Sequence, residues 1–307
     1  VRVVHTVAEC TDALEAARAT GRTVGLVPTM GALHAGHVSL VTRARAECDV
    51  VAVSIFVNPL QFGDPEDIAR YPRTLERDLV VCASAGADVV FAPSVREMYP
   101  TWPAPVHTTV SVRGVSEAWE GASRPGHFDG VATVVCKLFA IAGPCRAYFG
   151  EKDYQQLAVV RQLVADLSLP VCVVGCPIVR EPDGLALSSR NVRLAPEERH
   201  AAVVLSRALA AGRELLAQGA DDASAVAAAM RAVVERAPLV RLDYAVAVGA
   251  EDLVARAAIE DPSVLRLLIA AEVGPVRLID NCAGTVHAGD DLRGRAAPAA
   301  RQLERIG

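Results

Sequence analysis

An alternation in the first half of the chain constrains the fold more than any other feature. Short β-branched runs, TVGLVP at 23–28, VVAVSIFV at 50–57, DVVFAP at 88–93, AYFG at 147–150 and VCVVG at 171–175, recur between segments of helical spacing. Apolar runs of this kind are what strands covered on both faces look like, and parallel strands need that cover. The segments between them, 36–47, 74–85, 130–142 and 153–167, set apolar residues three and four apart, as crossover helices do. The pattern predicts an α/β fold, a Rossmann-like parallel sheet with helices on both faces.

The pattern changes after about residue 177. REPDGLALSSRN at 180–191 is turn-rich, and PEERHAAVVLSRALAAGRELLAQG reads as one long amphipathic helix beginning after Pro196. A further helix near 223–236 precedes three strand-like runs, LDYAVAV, VLRLLIAAEV and VRLIDN, the last two parted by a Gly-Pro turn. A chain of 307 residues exceeds the usual single core. The expected organisation is therefore a Rossmann-like domain over 1–177 and a smaller α+β C-terminal lid domain over 178–307, whose tail GRAAPAARQLERIG frays.

Composition narrows the partners. With 52% apolar and 22% charged residues the chain is too apolar for disorder. A net charge of -5 and a pI near 5.8 provide no cationic field for a polyanion, which argues against nucleic acid and leaves a single nucleotide open. The eight cysteines sit mostly in apolar runs without a CxxC pair. They read as buried thiols; Cys172 and Cys176 lack a second Cys/His pair at ligand spacing and belong to a strand instead of half a metal site. The N-terminal VRVVHTVAECTDAL has no long apolar stretch of the secretory kind, and no run of about 18 apolar residues occurs, so the expected setting is cytoplasmic, with no membrane.

The chemistry concentrates in VPTMGALHAGHVSLV at 27–41, where a strand ends in a turn and a helix opens close to Gly36. His34 and His37 are three apart, so both imidazoles project to one side of the first turn. Gly36 is expected to let a nucleotide approach the backbone, with free N–H groups and the helix dipole favouring phosphate. The imidazoles can then stabilise charge on an α-phosphate under attack. A lone HxGH is also what two ordinary histidines look like. A zinc pair is disfavoured, since helical zinc sites space their histidines four apart and add a carboxylate.

The segment resembles the HxGH superfamily of nucleotidyltransferases, and PTMGALHAGH resembles its pantothenate synthetase branch in particular. SIFVNPLQFG at 54–63, RYPRT at 70–74, RPGHFDGVATVV at 124–135, FGEKDYQQL at 149–157 and DGLALSSRN at 183–191 are similar to that family in order and spacing. The resemblance is close over roughly 20–195 and looser beyond. It implies ATP-dependent condensation of pantoate with β-alanine through pantoyl-adenylate, releasing AMP and pyrophosphate. It implies that His37, His34 and Lys152 are catalytic. ATP would contact Met30, Gly31, Ala32, Leu33, His34, Ala35, Gly36 and His37, then Gly150, Glu151, Lys152 and Asp153, then Val179, Leu187, Ser188, Ser189 and Arg190. Pantoate would contact Gln61, Gln156 and Asn58, with Gln61 also near β-alanine and with Asn58 and Tyr71 supporting the pocket.

These residue types suit the implied reaction. Gly150 leaves room at a strand end, and Lys152 offers a mobile cation. Two hydroxyls and a guanidinium on the 188–190 turn can grip a leaving pyrophosphate. Neutral amides match hydroxyls and a carboxylate without a like charge beside the nucleophile. Phe56, Val57, Pro59 and Phe62 can close around the branched apolar middle of pantoate and exclude water. Leu187 stands where the family usually has Met, a volume-conserving change, and AWEGAS stands where it usually has Leu-Glu-Gly. Mg²⁺ should bridge the phosphates, with its protein ligands unassigned; Asp78 is either a candidate ligand or a solvated helix charge. Arg124 and His127 either contact an anion or sit in a packing loop capped by Asp129. The resemblance also implies a homodimer. Two other enzymes and one non-enzyme stay as alternatives: a nucleotidylyltransferase with another acceptor, which would want a cationic pocket; a tRNA-charging enzyme, which would want a basic surface; and a nucleotide sensor, which would lack His34, His37 or Lys152.

Overall fold

A computed structural model describes residues 1–63, 65–286 and 292, with backbone alone at Pro65 and Asp67. The chain divides into two compact units: Val1–Gly150 with Gln155–Cys176, and Glu151–Tyr154 with the described residues from Pro177 onward. The division falls between Cys176 and Pro177, and it takes five residues, Glu151–Tyr154 and Pro177, out of the stretch 1–177 expected to form one domain.

In the first unit six strands form one sheet. They are β1 (Arg2–Val4), β2 (Val24–Thr29), β3 (Val50–Ile55), β4 (Val89–Phe91), β5 (Cys145–Gly150) and β6 (Val171–Cys176), in the order β1-β4-β3-β2-β5-β6. Every pairing is parallel. Five of the six are the β-branched runs read from the sequence; β1 was not among them. The helix Val7–Ala19 packs on His127–Ala142, and Ala35–Glu47 packs on Leu75–Ala85. The core between the helices and the sheet includes Leu14, Leu26, Phe91, Met98, Leu157 and Leu163. Strand order runs outward from β2 through β3 and from β5 to β6, so the order reverses between β2 and β5. In an open α/β sheet that reversal leaves a crevice outside the carboxyl ends of the two strands.

The second unit carries an antiparallel sheet of β7 (Val240–Gly249), β8 (Leu265–Val273) and β9 (Val276–Ala283), in the order β7-β8-β9. Its helices contribute Leu205, Leu209, Val226 and Met230 to a core with Leu267 and Ile269 of β8. This is the α+β architecture expected for the C-terminal region. The single helix expected after Pro196 is two, Pro196–Ala202 and Val204–Ala217. The break falls at Val203, whose carbonyl accepts the Ser206 hydroxyl at 2.9 Å, a side-chain bond of the kind that bends a helix. The tail expected to fray, from residue 294, lies outside the described residues. No helix among the described residues is long and apolar enough to cross a membrane.

Candidate active site

β2 ends at Thr29 and the chain then takes two consecutive left-handed residues, Gly31 at φ 84° and Ala32 at φ 51°. A non-glycine residue in that region is strained and persists only where its surroundings hold it. Here the holding group is Asp78, which is 1% exposed. Its Oδ2 accepts the Ala32 N–H at 2.9 Å and the Thr74 hydroxyl at 3.1 Å, and its Oδ1 accepts the Leu33 N–H at 2.8 Å. Asp78 is therefore neither a solvated helix charge nor a carboxylate with an oxygen turned to a metal: it is the anchor of the turn that introduces the HxGH segment. Nothing local marks it, because turn and carboxylate are 45 and 46 residues apart.

The two histidines close on each other. His34 is the N-cap of the helix Ala35–Glu47, and its Nδ1 accepts the Gly36 N–H at 3.1 Å. The His34 N–H in turn points to His37 Nδ1 at 3.3 Å, and the ring centroids are 4.2 Å apart. Glycine at 36 has a local cause as well. A Cβ there would lie 2.9 Å from His34 Cε1, so the glycine makes room for the ring, and its N–H is taken up by the cap. Accepting at Nδ1 puts the proton of each neutral imidazole on Nε2, which makes that nitrogen the donor both rings present.

A second group of residues gathers around Asn58, which is 1% exposed. Asn58 Nδ2 donates to Gln61 Oε1 at 3.1 Å and to the Gly130 carbonyl at 3.0 Å. Asn58 Oδ1 accepts the Tyr99 hydroxyl at 2.8 Å and the Leu60 N–H at 3.3 Å. Both hydrogens and the oxygen of the amide are thus occupied inside the protein. The supporting role expected of Asn58 has this geometry behind it: the residue fixes the Gln61 amide so that Nε2 faces outward from the pair. That Nε2 lies 3.1 Å from Met30 Sδ, which brings the amide group against the HxGH turn. Burial pushes the Tyr99 phenol well above its ordinary pKa and keeps it a donor at neutral pH. Tyr99 carried no signal in the sequence.

Arg124 and His127 serve the same residues. His127 Nδ1 is 2.9 Å from the Gln61 carbonyl, and His127 Nε2 is 3.1 Å from Arg124 Nη1. Arginine only donates, so Nε2 accepts and Nδ1 carries the proton to Gln61. The helix begins at His127, with Gly126 and not Asp129 at its cap. It approaches the 58–61 turn so closely that a Cβ on Gly130 would sit 2.3 Å from the Leu60 carbonyl oxygen. Gln156 is half-buried, and its amide bonds to none of the described side chains. Its neighbour Gln155 is fully engaged, donating to the Val115 and Ala118 carbonyls at 2.9 and 2.8 Å and accepting the Glu120 N–H at 2.9 Å. β5 ends at Gly150, where a Cβ would meet nothing within 4 Å.

The remaining expected positions belong to the second unit. Lys152 is part of the short turn Glu151–Asp153; its side chain is 16% exposed and its Nζ lies 3.4 Å from Asp153 Oδ1. Val179 and Leu187 are joined by a backbone bond of 2.9 Å, which closes a hairpin that runs on into Ser188–Arg190. There Ser188 Oγ accepts the Arg190 N–H at 3.2 Å, and Ser189 and Arg190 are part-exposed. Among the described residues no group of three or more His, Cys, Asp or Glu is arranged to hold a metal ion. Asp78 itself is engaged by three donors and has no oxygen left for such an ion.

An HxGH cap beside the reversal point of a parallel sheet, backed by a buried cluster of neutral amides, defines the class: an α/β protein of the HxGH nucleotidyltransferase type. The model of the pantoate-beta-alanine ligase family matches residues 2–283, and the chain belongs to that family. It is similar to the pantothenate synthetase of Roseiflexus sp. (strain RS-1), with 54% identity over 282 residues, 92% of this chain and 99% of that one. The crystal structure of pantothenate synthetase from Thermus thermophilus matches with a TM-score of 0.86 at 50% identity, covering 93% of this chain and 100% of that one. The pantoate-beta-alanine ligase of Francisella tularensis, solved in complex with beta-gamma ATP and beta-alanine, matches with a TM-score of 0.72 at 33% identity over 94% and 99% of the two chains. The protein is a ligase that forms an amide bond.

Proposed function

We propose that this chain joins pantoate to β-alanine at the expense of ATP, through pantoyl-adenylate, with release of pyrophosphate and then AMP. The reciprocal His34–His37 cap carries the reading. It presents two Nε2 protons at a helix N-terminus, a site of positive potential suited to a phosphate. The pantoate carboxylate is already ionised at neutral pH, so attack on the α-phosphorus needs positioning and charge stabilisation and no enzyme nucleophile. His34 and His37 donate to the α-phosphate, Lys152 holds phosphate charge, and Ser188, Ser189 and Arg190 take up the leaving pyrophosphate. Met30 to Gly36, Gly150 to Asp153, Val179 and Leu187 line the rest of the ATP site. In the second half, the β-alanine amine attacks the activated carbonyl, with His37 as general acid/base.

Gln61 and Gln156 bind pantoate, Gln61 also faces β-alanine, and Asn58 acts through Gln61. The support for Gln61 is its fixed amide; the support for Gln156 is an amide left open at the start of a helix. Mg²⁺ arrives on the ATP phosphates and neutralises their charge. The chain works as a homodimer in the cytoplasm, a reading that rests on the family and on eight cysteines suited to a reducing compartment. The deciding assay mixes protein, ATP, Mg²⁺ and pantoate and follows pyrophosphate, AMP and pantothenate, with His37→Ala alongside. Pyrophosphate release that requires pantoate, and pantothenate that requires β-alanine, are the expected results. Folded, ATP-binding protein without pantoate-dependent turnover overturns the reading; light scattering tests the dimer.

A further inference from the structure

The Lys152 turn is gripped by a buried polar network in the second unit that the reaction does not itself require. Asn281, on β9, is 2% exposed. Its Nδ2 donates one hydrogen to the Glu151 carbonyl at 3.0 Å and the other to the Lys152 carbonyl at 2.9 Å. Its Oδ1 accepts from Arg266 Nε at 2.7 Å. Arg266, 6% exposed, also reaches the Glu151 carboxylate at 3.1 Å and stacks over the Tyr154 ring with its guanidinium carbon 4.1 Å from the centroid. The backbone of Asn281 is fixed in turn: its N–H donates to Asp280 Oδ1 at 2.7 Å and its carbonyl accepts from Arg180 Nη2 at 3.3 Å.

Hydrophobic side chains would fill such a sheet at lower desolvation cost, so burying charged and amide groups here asks for a reason other than stability. The geometry of the turn supplies one. In a trans peptide the carbonyl and the following N–H point in opposite directions. Tying the carbonyls of Glu151 and Lys152 to Asn281 therefore turns the N–H groups of Lys152 and Asp153 away from β9, and it fixes the Cα from which the Lys152 side chain departs. We infer that Asn281 is the positioning residue for Lys152, setting where the ammonium stands when ATP is bound. The inference rests on the reading of Lys152 as an ATP phosphate contact.

The test uses the full-length protein and the isosteric variant Asn281→Asp, which keeps an acceptor for Arg266 and removes both donors to the turn. Displacing a charge-stabilising group by about 1 Å costs up to roughly a hundredfold, so kcat/KM for ATP should fall about ten- to a hundredfold while KM for pantoate stays unchanged. The coupling is read in a cycle with Lys152→Ala, using ATP affinity by titration calorimetry so that inactive variants still report. Asn281→Asp should weaken ATP binding in the native background and add little to Lys152→Ala, because it acts through that side chain. Equal loss in both backgrounds, or a lower melting temperature with ATP kinetics intact, overturns the inference. Lys152→Ala that leaves ATP affinity and turnover at native level overturns the phosphate-contact reading first, which keeps the two failures apart. If Asn281→Asp does not fold, Arg266→Lys removes the Nε donor that orients the amide, and it should give the same ATP-specific loss at smaller amplitude.

Discussion

One cluster in each unit frames candidate site residues, and these two clusters do so by opposite means. In the first, the Asn58–Gln61–Tyr99 group is neutral, and it is buried against backbone carbonyls and a helix in van der Waals contact. In the second, the corresponding frame is charged: Arg180 and Asp280, 2% and 3% exposed, form a two-pronged pair at 2.6 and 2.9 Å, with Arg266 and Glu151 beyond it. The difference fits what each unit is proposed to hold. The amide cluster itself adds no charge beside an anionic nucleophile, and its desolvation is cheap once every donor is matched. A buried ion pair is costly but strongly directional, which suits turns that must present cations.

The comparison breaks most visibly at Asp280. Asp280→Ala leaves the Arg180 guanidinium buried without its carboxylate, and the expected loss of stability is about 3–5 kcal/mol in urea unfolding. Tyr99→Phe, which removes one neutral hydrogen bond from the first unit, should cost about 0.5–1.5 kcal/mol. Similar losses for the two variants would mean that the distinction between a charged and a neutral frame has no energetic content.

Two glycines sharpen the contrast within the first unit. Gly130→Ala forces a Cβ to within 2.3 Å of the Leu60 carbonyl oxygen and 2.6 Å of the Gln61 nitrogen. Overpacking of this kind costs about 1–3 kcal/mol, and here it also displaces Gln61, so KM for pantoate should rise. Gly150→Ala meets nothing within 4 Å. It should leave the melting temperature unchanged and raise KM for ATP alone, since its added methyl occupies space that the nucleotide is proposed to use.

What the sequence disclosed follows the reach of each interaction. The central strands were legible because burial on both faces leaves a continuous β-branched run, and the HxGH segment was legible as a motif, though the reciprocal cap that its two histidines form was not read from it. β1 has three residues and exists by pairing with β4, so no local pattern announces it. The helix Val7–Ala19 carries a local signal of its own: Thr6 and Glu9 form the reciprocal cap that Thr-x-x-Glu encodes. The supporting residues were out of reach in principle. Asp78 acts on a turn 46 residues upstream of it, Tyr99 on Asn58 at 41, and Asn281 on Lys152 at 129, distances over which residue type alone selects no partner.

The smallest effect is a pH dependence at the edge of the second unit's frame. Arg199 Nη1 and Nη2 donate to Asp183 at 2.8 and 3.1 Å, and Nη2 reaches Glu181 at 2.8 Å, tying the hairpin before Ser188 to the helix Pro196–Ala202. The hydrogen bonds from Arg199 hold the Asp183 carboxyl below its ordinary range. A group with a depressed folded pKa contributes its full stability above its unfolded value, about 3.9 for Asp, and loses it as pH falls through the folded value. Asp183 is 46% exposed, so solvent screening limits the pair to at most about 1 kcal/mol. Urea unfolding of native protein and Asp183→Asn should therefore differ by a small constant amount from pH 7 to about 5 and converge below pH ~4. A gap that persists unchanged through acid would show that the contribution of Asp183 does not come from its ionised carboxylate.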